Sequence, residues 1–374
     1  MKNFDFASFP RINLDALLCS ADIRSQQEYF QVDEQLPFEP DGTGGHVWLK
    51  IQKRGINTDW LAGELAKFAG VHQVAVGFAG LKDRHAVTQQ WFSVNLEGFV
   101  EPDWSAFETD DIKIITYTRH GKKLKRGVLL GNTFKLRLTN VQGERALWES
   151  ALEQIQQYGV PNYFAEQRFG HQCGNLYRVE HWFSTGKAPK KRNQKSIYLS
   201  AARSWLFNLV LAERIRLGNW NKALLGDVML LAGTKASLFL VDADDDALQE
   251  RLDTMDIHVS GPLWGRGNPA VLDDSSLLEQ AVLSEWQAWQ QGLEKAGMSQ
   301  ERRALRLFPT GFNWQFIPDN QLELEFFLPA GSYATAVMRE LAVISDAQHR
   351  NYERGESVLD VADRIAEVKE NVDI

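Results

Sequence analysis

The spacing of apolar residues changes twice along this chain, and that change limits the folds open to it. His46-Val47-Trp48-Leu49-Lys50-Ile51-Gln52-Lys53 alternates strictly, as a strand with one buried face does. It follows a turn-rich loop, Glu39 to Gly45. Asn57 then offers an N-cap, with Leu61, Leu65 and Phe68 on one helical face. Strand-like runs follow at about 73–78, 86–94, 112–118 and 133–140. From Ala146 the spacing becomes helical. Residues 146–158 read as a helix, and so do 201–217, opened by Ser200 and closed by Gly218. Much of 158–305 is helical or irregular, before alternation returns at 312–316 and 322–328. The pattern is α+β rather than βαβ winding. A block of different texture between two sheet-rich blocks points to an inserted domain.

A length of 374 residues agrees with two domains. Hydrophobic residues at 44% and charged residues at 24% are the proportions of an ordinary soluble globular protein. No apolar run approaches the roughly 18 residues of a membrane span. The start, Met1 to Phe6, lacks the charged-then-apolar order of a signal peptide. Cys19 and Cys173 stand alone, so neither a disulfide framework nor a zinc cage is expected, and a reducing cytoplasm is the natural setting. A net charge of −8 argues mildly against nucleic acid. Two basic clusters, Arg119 to Arg126 and Lys187 to Lys195, nevertheless gather enough positive charge to neutralise phosphates. Near the end, Ser357 to Val368 reads as a short acidic amphipathic helix.

The stretch richest in chemistry is Gly77-Phe78-Ala79-Gly80-Leu81-Lys82-Asp83-Arg84-His85-Ala86-Val87-Thr88-Gln89-Gln90-Trp91. It sets a carboxylate between two cations, in a glycine-punctuated turn flanked by strand-like runs. The glycines permit backbone angles closed to other residues. Lys82 and Arg84 are placed to favour the charged form of Asp83. A fixed, ionised carboxylate can serve as nucleophile, base or metal ligand. By composition alone, a surface turn is the commoner use of Lys-Asp-Arg.

The whole string resembles the catalytic motif of the TruD family of tRNA pseudouridine synthases, Gly-x-Ala-Gly-x-Lys-Asp-x-x-Ala-Val-Thr-x-Gln-Trp. Four further stretches are similar to motifs of that family and fall in its order, from about residue 23 to 341. Gly131-Asn132-Thr133-Phe134 matches Gly-Asn-x-Phe. Val160 to Gly170 matches Val-Pro-Asn-Tyr-Phe-Gly-Glu-Gln-Arg-Phe-Gly, except that Ala165 replaces a glycine. Leu328 to Thr335 matches Leu-Pro-Ala-Gly-Ser-Phe-Ala-Thr, with Tyr333 in place of the phenylalanine. Ile23 to Glu34 matches Ile-Lys-x-x-Pro-Glu-Asp-Phe-x-Val-x-Glu in part, with Arg24 for the lysine and Gln27 and Tyr29 for the proline and the acid.

The resemblance implies an α+β fold: a pseudouridine synthase-like catalytic domain with a mainly antiparallel mixed sheet, split as 1–157 and 308–350. A TruD-specific α/β domain would be inserted at 158–307; the acidic tail read at 351–374 has no counterpart in the family pattern. It implies Asp83 as the catalytic residue, with Phe30, Asn132, Phe134 and Tyr333 contacting substrate. Arg24, Lys82, Arg84 and Arg168 are the candidate active-site or phosphate-binding cations. The reaction implied is isomerisation of uridine to pseudouridine, at uridine 13 in the D-arm of tRNA. No cofactor, metal, membrane or obligate protein partner is indicated: there is no P-loop, dinucleotide fingerprint or zinc-spaced histidine pair. Asp83 could attack uracil C6, attack C1′, or remove the C2′ proton. Two other classes compete. A carboxylate-dependent glycosidase needs a second catalytic carboxylate, for which Glu34 is a poor candidate. An RNA-binding protein without catalysis would not need Asp83.

Overall fold

A computed structural model describes residues 2–233, 238–241 and 246–348. The expected acidic helix at 357–368 lies outside the described residues. The chain divides into two compact units. Among the described residues, one gathers 2–16 with Glu149–Pro309 and Ser332–Leu341; the other gathers Leu17–Trp148, Thr310–Gly331 and 342–348. These limits differ from 158 and 307, because the N-terminal segment and 332–341 also pack into the helix-rich unit.

The sheet-rich unit holds β1 (Ser20–Ile23), β2 (Phe30–Gln35), β3 (His46–Arg54), β4 (Val76–Phe78), β5 (Val87–Asn95), β6 (Ile112–His120) and β7 (Gly131–Gln142). A hairpin of Thr310–Ile317 and Gln321–Pro329, and the strand Val343–Asp346, join the same ten-stranded sheet. From the hairpin the order runs β7, β2, β5, β3, β6, with β4 on β5 and with β1 between β7 and Val343–Asp346. Two pairs are parallel, β2 with β5 and β1 with Val343–Asp346; the rest are antiparallel. The helix Thr58–Phe68 forms as its spacing predicts, with Asn57 Oδ1 accepting from the Asp59 amide at 2.8 Å. It buries Leu61, Ala62 and Leu65 against Val47, Leu49, Ile51, Phe92 and Val94. The strand expected at 73–78 is shorter: Gln73–Ala75 is a 3-10 turn, and Val74 is 81% exposed, so nothing apolar draws it into the sheet.

In the helix-rich unit the long helix is Arg192–Arg216. Ser200 is therefore not its cap but an internal residue, whose carbonyl accepts from Ser204 Oγ at 2.8 Å. Gly218, at φ +68°, does close it. Beside this helix runs an antiparallel four-stranded sheet in the order Leu238–Leu240, Val228–Leu231, Ile257–Leu263, Glu301–Ala304. Few strands were expected there. Val228-Met229-Leu230-Leu231 is apolar throughout, so it lacks the alternation that marks a half-exposed strand. The core of this unit is aromatic, with Phe4, Phe9, Trp205, Phe207 and Trp289 buried together. No helix of the described residues is long and apolar enough to cross a membrane.

Candidate active site

Asp83 sits in the loop between β4 and β5, and that loop is fastened from below. Thr58, the first residue of the helix, donates from Oγ1 to Gln90 Oε1 at 3.0 Å and accepts from the Lys82 amide at 3.1 Å. Gln90 Nε2 in turn donates to the Gly80 carbonyl at 2.6 Å. Neither Gly77 nor Gly80 uses the left-handed backbone that glycine permits. Gly77 is required for space: a Cβ there would lie 2.4 Å from the Leu124 carbonyl oxygen and 2.7 Å from Ser93 Oγ.

The Asp83 side chain is 33% exposed. Its Oδ1 accepts from the His85 amide at 2.9 Å, and its Oδ2 is ion-paired with Arg24 Nη1. The cation on Asp83 is thus not a sequence neighbour. Lys82 is ion-paired with Glu34, which is fully buried on β2 and also accepts from the Trp91 amide at 2.9 Å. Arg84 donates from Nε to the Gly55 carbonyl at 3.2 Å. In this irregular loop Lys82 turns inward to Glu34 and Arg84 turns aside to the Gly55 carbonyl. Burial pushes the Glu34 carboxyl up, while the Lys82 ammonium and the Trp91 amide hold it down.

Arg24 follows β1 in a left-handed conformation, φ 59°. Its second terminal nitrogen, Nη2, is 2.6 Å from Asp346 Oδ2. The guanidinium lies 5.2 Å from the centroid of the Phe30 ring. Phe30 meets Phe134 edge-on at 6.4 Å, and Phe134 stacks on Phe326 at 5.6 Å. Both Phe30 and Phe134 are buried. In the register of β2 on β7, Asn132 lies opposite Glu34 and Phe134 opposite Val32. The buried Asn132 Oδ1 has no hydrogen-bond partner, which is uncommon for a buried acceptor. Arg24, Phe30, Lys82, Asp83, Asn132 and Phe134 therefore occupy one connected part of this unit.

Sequence reasoning missed two members. Asp346 holds the far side of Arg24, and Lys53 on β3 is fully buried, with Nζ donating to the Ile56 carbonyl at 2.8 Å. Burial pushes the Lys53 ammonium down to about 8; Lys82 adds to this, and Asp83 and Glu34 oppose it. The alternation of β3 does mark Lys53 as inward-facing, and that was the available signal for it.

Tyr333 and Arg168 belong to the helix-rich unit. Arg168 donates from Nε to the Tyr333 hydroxyl at 3.0 Å and from Nη1 to Ser200 Oγ at 3.1 Å, with no carboxylate among these partners. Tyr333 also meets Phe164 edge-on at 6.2 Å, and the Arg303 guanidinium lies 4.1 Å from the Phe164 centroid. Ala165 has φ −74°, so this position makes no use of a glycine's freedom. In the second basic cluster, Lys187, Lys190, Lys191 and Arg192 are all exposed. The last of them opens the long helix, whose N-cap, Lys191, supplies no side-chain cap. In the first cluster, Arg119 pairs with Glu101 while Lys122, Lys125 and Arg126 remain exposed. Among the described residues, no group of three or more His, Cys, Asp or Glu could hold a metal ion.

This fold recurs in a solved structure described as a tRNA pseudouridine synthase D from Methanosarcina mazei, with a TM-score of 0.69 over 89% of this chain and 95% of that one, at 21% identity. The family model described as tRNA pseudouridine synthase D (TruD) matches residues 15–190 and 188–341, and the chain belongs to that family. A relative named tRNA pseudouridine synthase D from Nitrosococcus oceani is 48% identical over 335 residues, 89% of this chain and 93% of its own length. Another of the same name, from Aeromonas hydrophila, is 46% identical over 87% of this chain and 92% of its own.

Proposed function

We propose that this chain isomerises uridine to pseudouridine in tRNA, at uridine 13 of the D-arm, with Asp83 as the catalytic carboxylate. The observation that carries this reading is the accessible Asp83 carboxylate, ion-paired with Arg24 in the Lys-Asp motif shared with the family. The N1–C1′ bond breaks, the base turns, and C5 bonds to C1′. The C5 proton is lost and N1 gains one, so atoms balance without an oxidant, reductant or group donor, and no cofactor is called for. Asp83 reaches a base in an RNA helix only after the nucleotide has left the stack.

Each chain residue has a part in this reading. Arg24 fixes the carboxylate. Lys82 acts indirectly, since its pairing with Glu34 holds the loop on the sheet. Phe30 and Phe134 form the apolar floor beneath the turned base. Asn132, with its unpaired carbonyl oxygen, suits the N3–H of uracil. Tyr333 offers an aromatic face to RNA, and Arg168, whose partners among the described residues are neutral oxygens, offers charge to a phosphate. The exposed lysines and arginine of 187–192 grip the backbone of the same tRNA, and the cytoplasm is the compartment in which it is met.

Unmodified tRNA transcript incubated with wild type and with Asp83→Asn, then labelled with carbodiimide and primer-extended, tests the reading. A stop at uridine 13 with wild type alone is expected. A stop with both proteins removes Asp83 from its role. The exposed basic turn also favours a second reading, RNA binding without catalysis. Tight, salt-sensitive tRNA binding with no stop from either protein would establish it.

A further inference from the structure

Arg24 carries two carboxylates. One nitrogen of its fork, Nη1, is on Asp83 and the other, Nη2, is on Asp346 at 2.6 Å. The arrangement is built into the sheet. The parallel register of β1 on Val343–Asp346 sets Ile23 opposite Asp346, so Arg24 leaves the strand beside that carboxylate. Asp346 is itself held, since its Oδ1 accepts from the Gln348 amide at 3.1 Å, and Gln348 Nε2 reaches the Arg24 carbonyl at 3.4 Å. The Arg24 side chain is 13% exposed and Asp346 18%, against 33% for Asp83. The fork is therefore enclosed on the Asp346 side and open on the Asp83 side. Other charges nearby are committed elsewhere: Lys82 to Glu34, Lys53 to the Ile56 carbonyl and Arg84 to the Gly55 carbonyl.

We propose that Asp346 is a positioning residue, which locks the Arg24 guanidinium in the plane that presents Nη1 to Asp83. The chemistry explains why this chain has arginine where the family motif has lysine. A planar guanidinium can span two carboxylates with separate nitrogens and has a defined orientation to be fixed; an ammonium is a point charge with none. The role rests on Asp83 as the reacting carboxylate, and Asp346 acts on it only through Arg24.

A double-mutant cycle on the full chain tests this, with Asp346→Asn, Arg24→Lys and the two combined. Two quantities are read: kcat and KM for pseudouridine formation in tRNA, and the rate at which a carbodiimide with glycinamide modifies Asp83 in the free protein, followed by peptide mass spectrometry. Asp346→Asn is expected to lower kcat roughly ten- to hundredfold with KM little changed, as misplacement of a reacting group does. It should also speed labelling of Asp83, as Arg24 moves off it. Both effects should vanish when Asp346→Asn is made on Arg24→Lys, and Ser345→Ala on the same strand should cause neither. Equal losses in both backgrounds, or a rise in KM alone, would overturn the proposal by showing that Asp346 supports the strand or the RNA instead. A wild type that forms no pseudouridine sinks the proposed reaction, and the labelling cycle still decides whether Asp346 holds Arg24 on Asp83.

Discussion

At Gly77 a methyl group has no room. The Leu124 carbonyl and Ser93 Oγ close on the position where it would be, and both belong to the framework that carries the Asp83 loop. Gly77→Ala is expected to cost about 1–3 kcal/mol, as overpacking does, and to appear as a lower midpoint in thermal unfolding. Lys53 makes a different prediction. Its folded pKa of about 8 lies below the ordinary 10.5, so between those values the unfolded chain binds more protons than the folded one. Stability therefore rises with pH through that window, by up to about 3 kcal/mol from this group. Lys53→Met should flatten that part of a urea-unfolding series taken from pH 7.5 to 10.5. Asp83 was legible from the sequence because its motif is a run of adjacent residues. Arg24, 59 positions away, was reached only through the family resemblance, and Asp346, a further 322 from Arg24, was not reached at all. Adjacency favoured Lys82 and Arg84, yet the loop turns them to Glu34 and to the Gly55 carbonyl.

At the scale of elements, strands with one wet face and helices with clean caps were readable, and elements buried all round were not. The helix Thr58–Phe68 was framed by Asn57, whereas Arg192–Arg216 begins without a side-chain cap, so its start was displaced to Ser200. Its other end is secured by chemistry that spacing does not reveal. Arg214 forms a bidentate pair with the fully buried Asp227, at 3.0 Å for each bond, and Asp227 also accepts from Ser275 Oγ at 2.6 Å and the Leu224 amide at 2.8 Å. Removing one partner leaves a buried charge alone. Asp227→Ala should therefore destabilise the helix-rich unit by about 3–5 kcal/mol, seen as early loss of helical signal on heating. His258, on the strand Ile257–Leu263, gives a pH counterpart. Burial pushes its imidazole down to about 4, with Arg306 adding to the effect. The unfolded chain then binds more protons between about 4 and 6.5, so stability falls as pH drops through that range. His258→Gln should remove part of that acid sensitivity.

For the whole molecule, net charge is a poor guide to partners. The chain carries −8 overall, yet Lys187, Lys190, Lys191 and Arg192 form an exposed turn with no ion pair among the described residues. Cations at a helix N-terminus oppose the helix dipole, at about 0.3–1 kcal/mol each, so their presence there favours an anionic partner. Charge reversal at Lys190, Lys191 and Arg192 should weaken tRNA binding. It should also reduce the slope of log affinity against log salt, by roughly 0.7–0.9 for every phosphate that is no longer neutralised. The midpoint of thermal unfolding should be unchanged or slightly higher.

The parallel pairing of β1 with Val343–Asp346 also bears on how the protein comes into being. A ribosome delivers Arg24 early and Asp346 late, and at about 5–20 residues per second the interval is on the order of tens of seconds. Until residues 310–329 follow, β7 lacks the hairpin along one edge, and until Asp346 follows them the guanidinium has only one of its two acids. A nascent chain stalled before codon 346 would thus display the whole Lys-Asp motif with its aiming arginine unmoored. Translation itself withholds the finished site until nearly all of the sheet has left the tunnel.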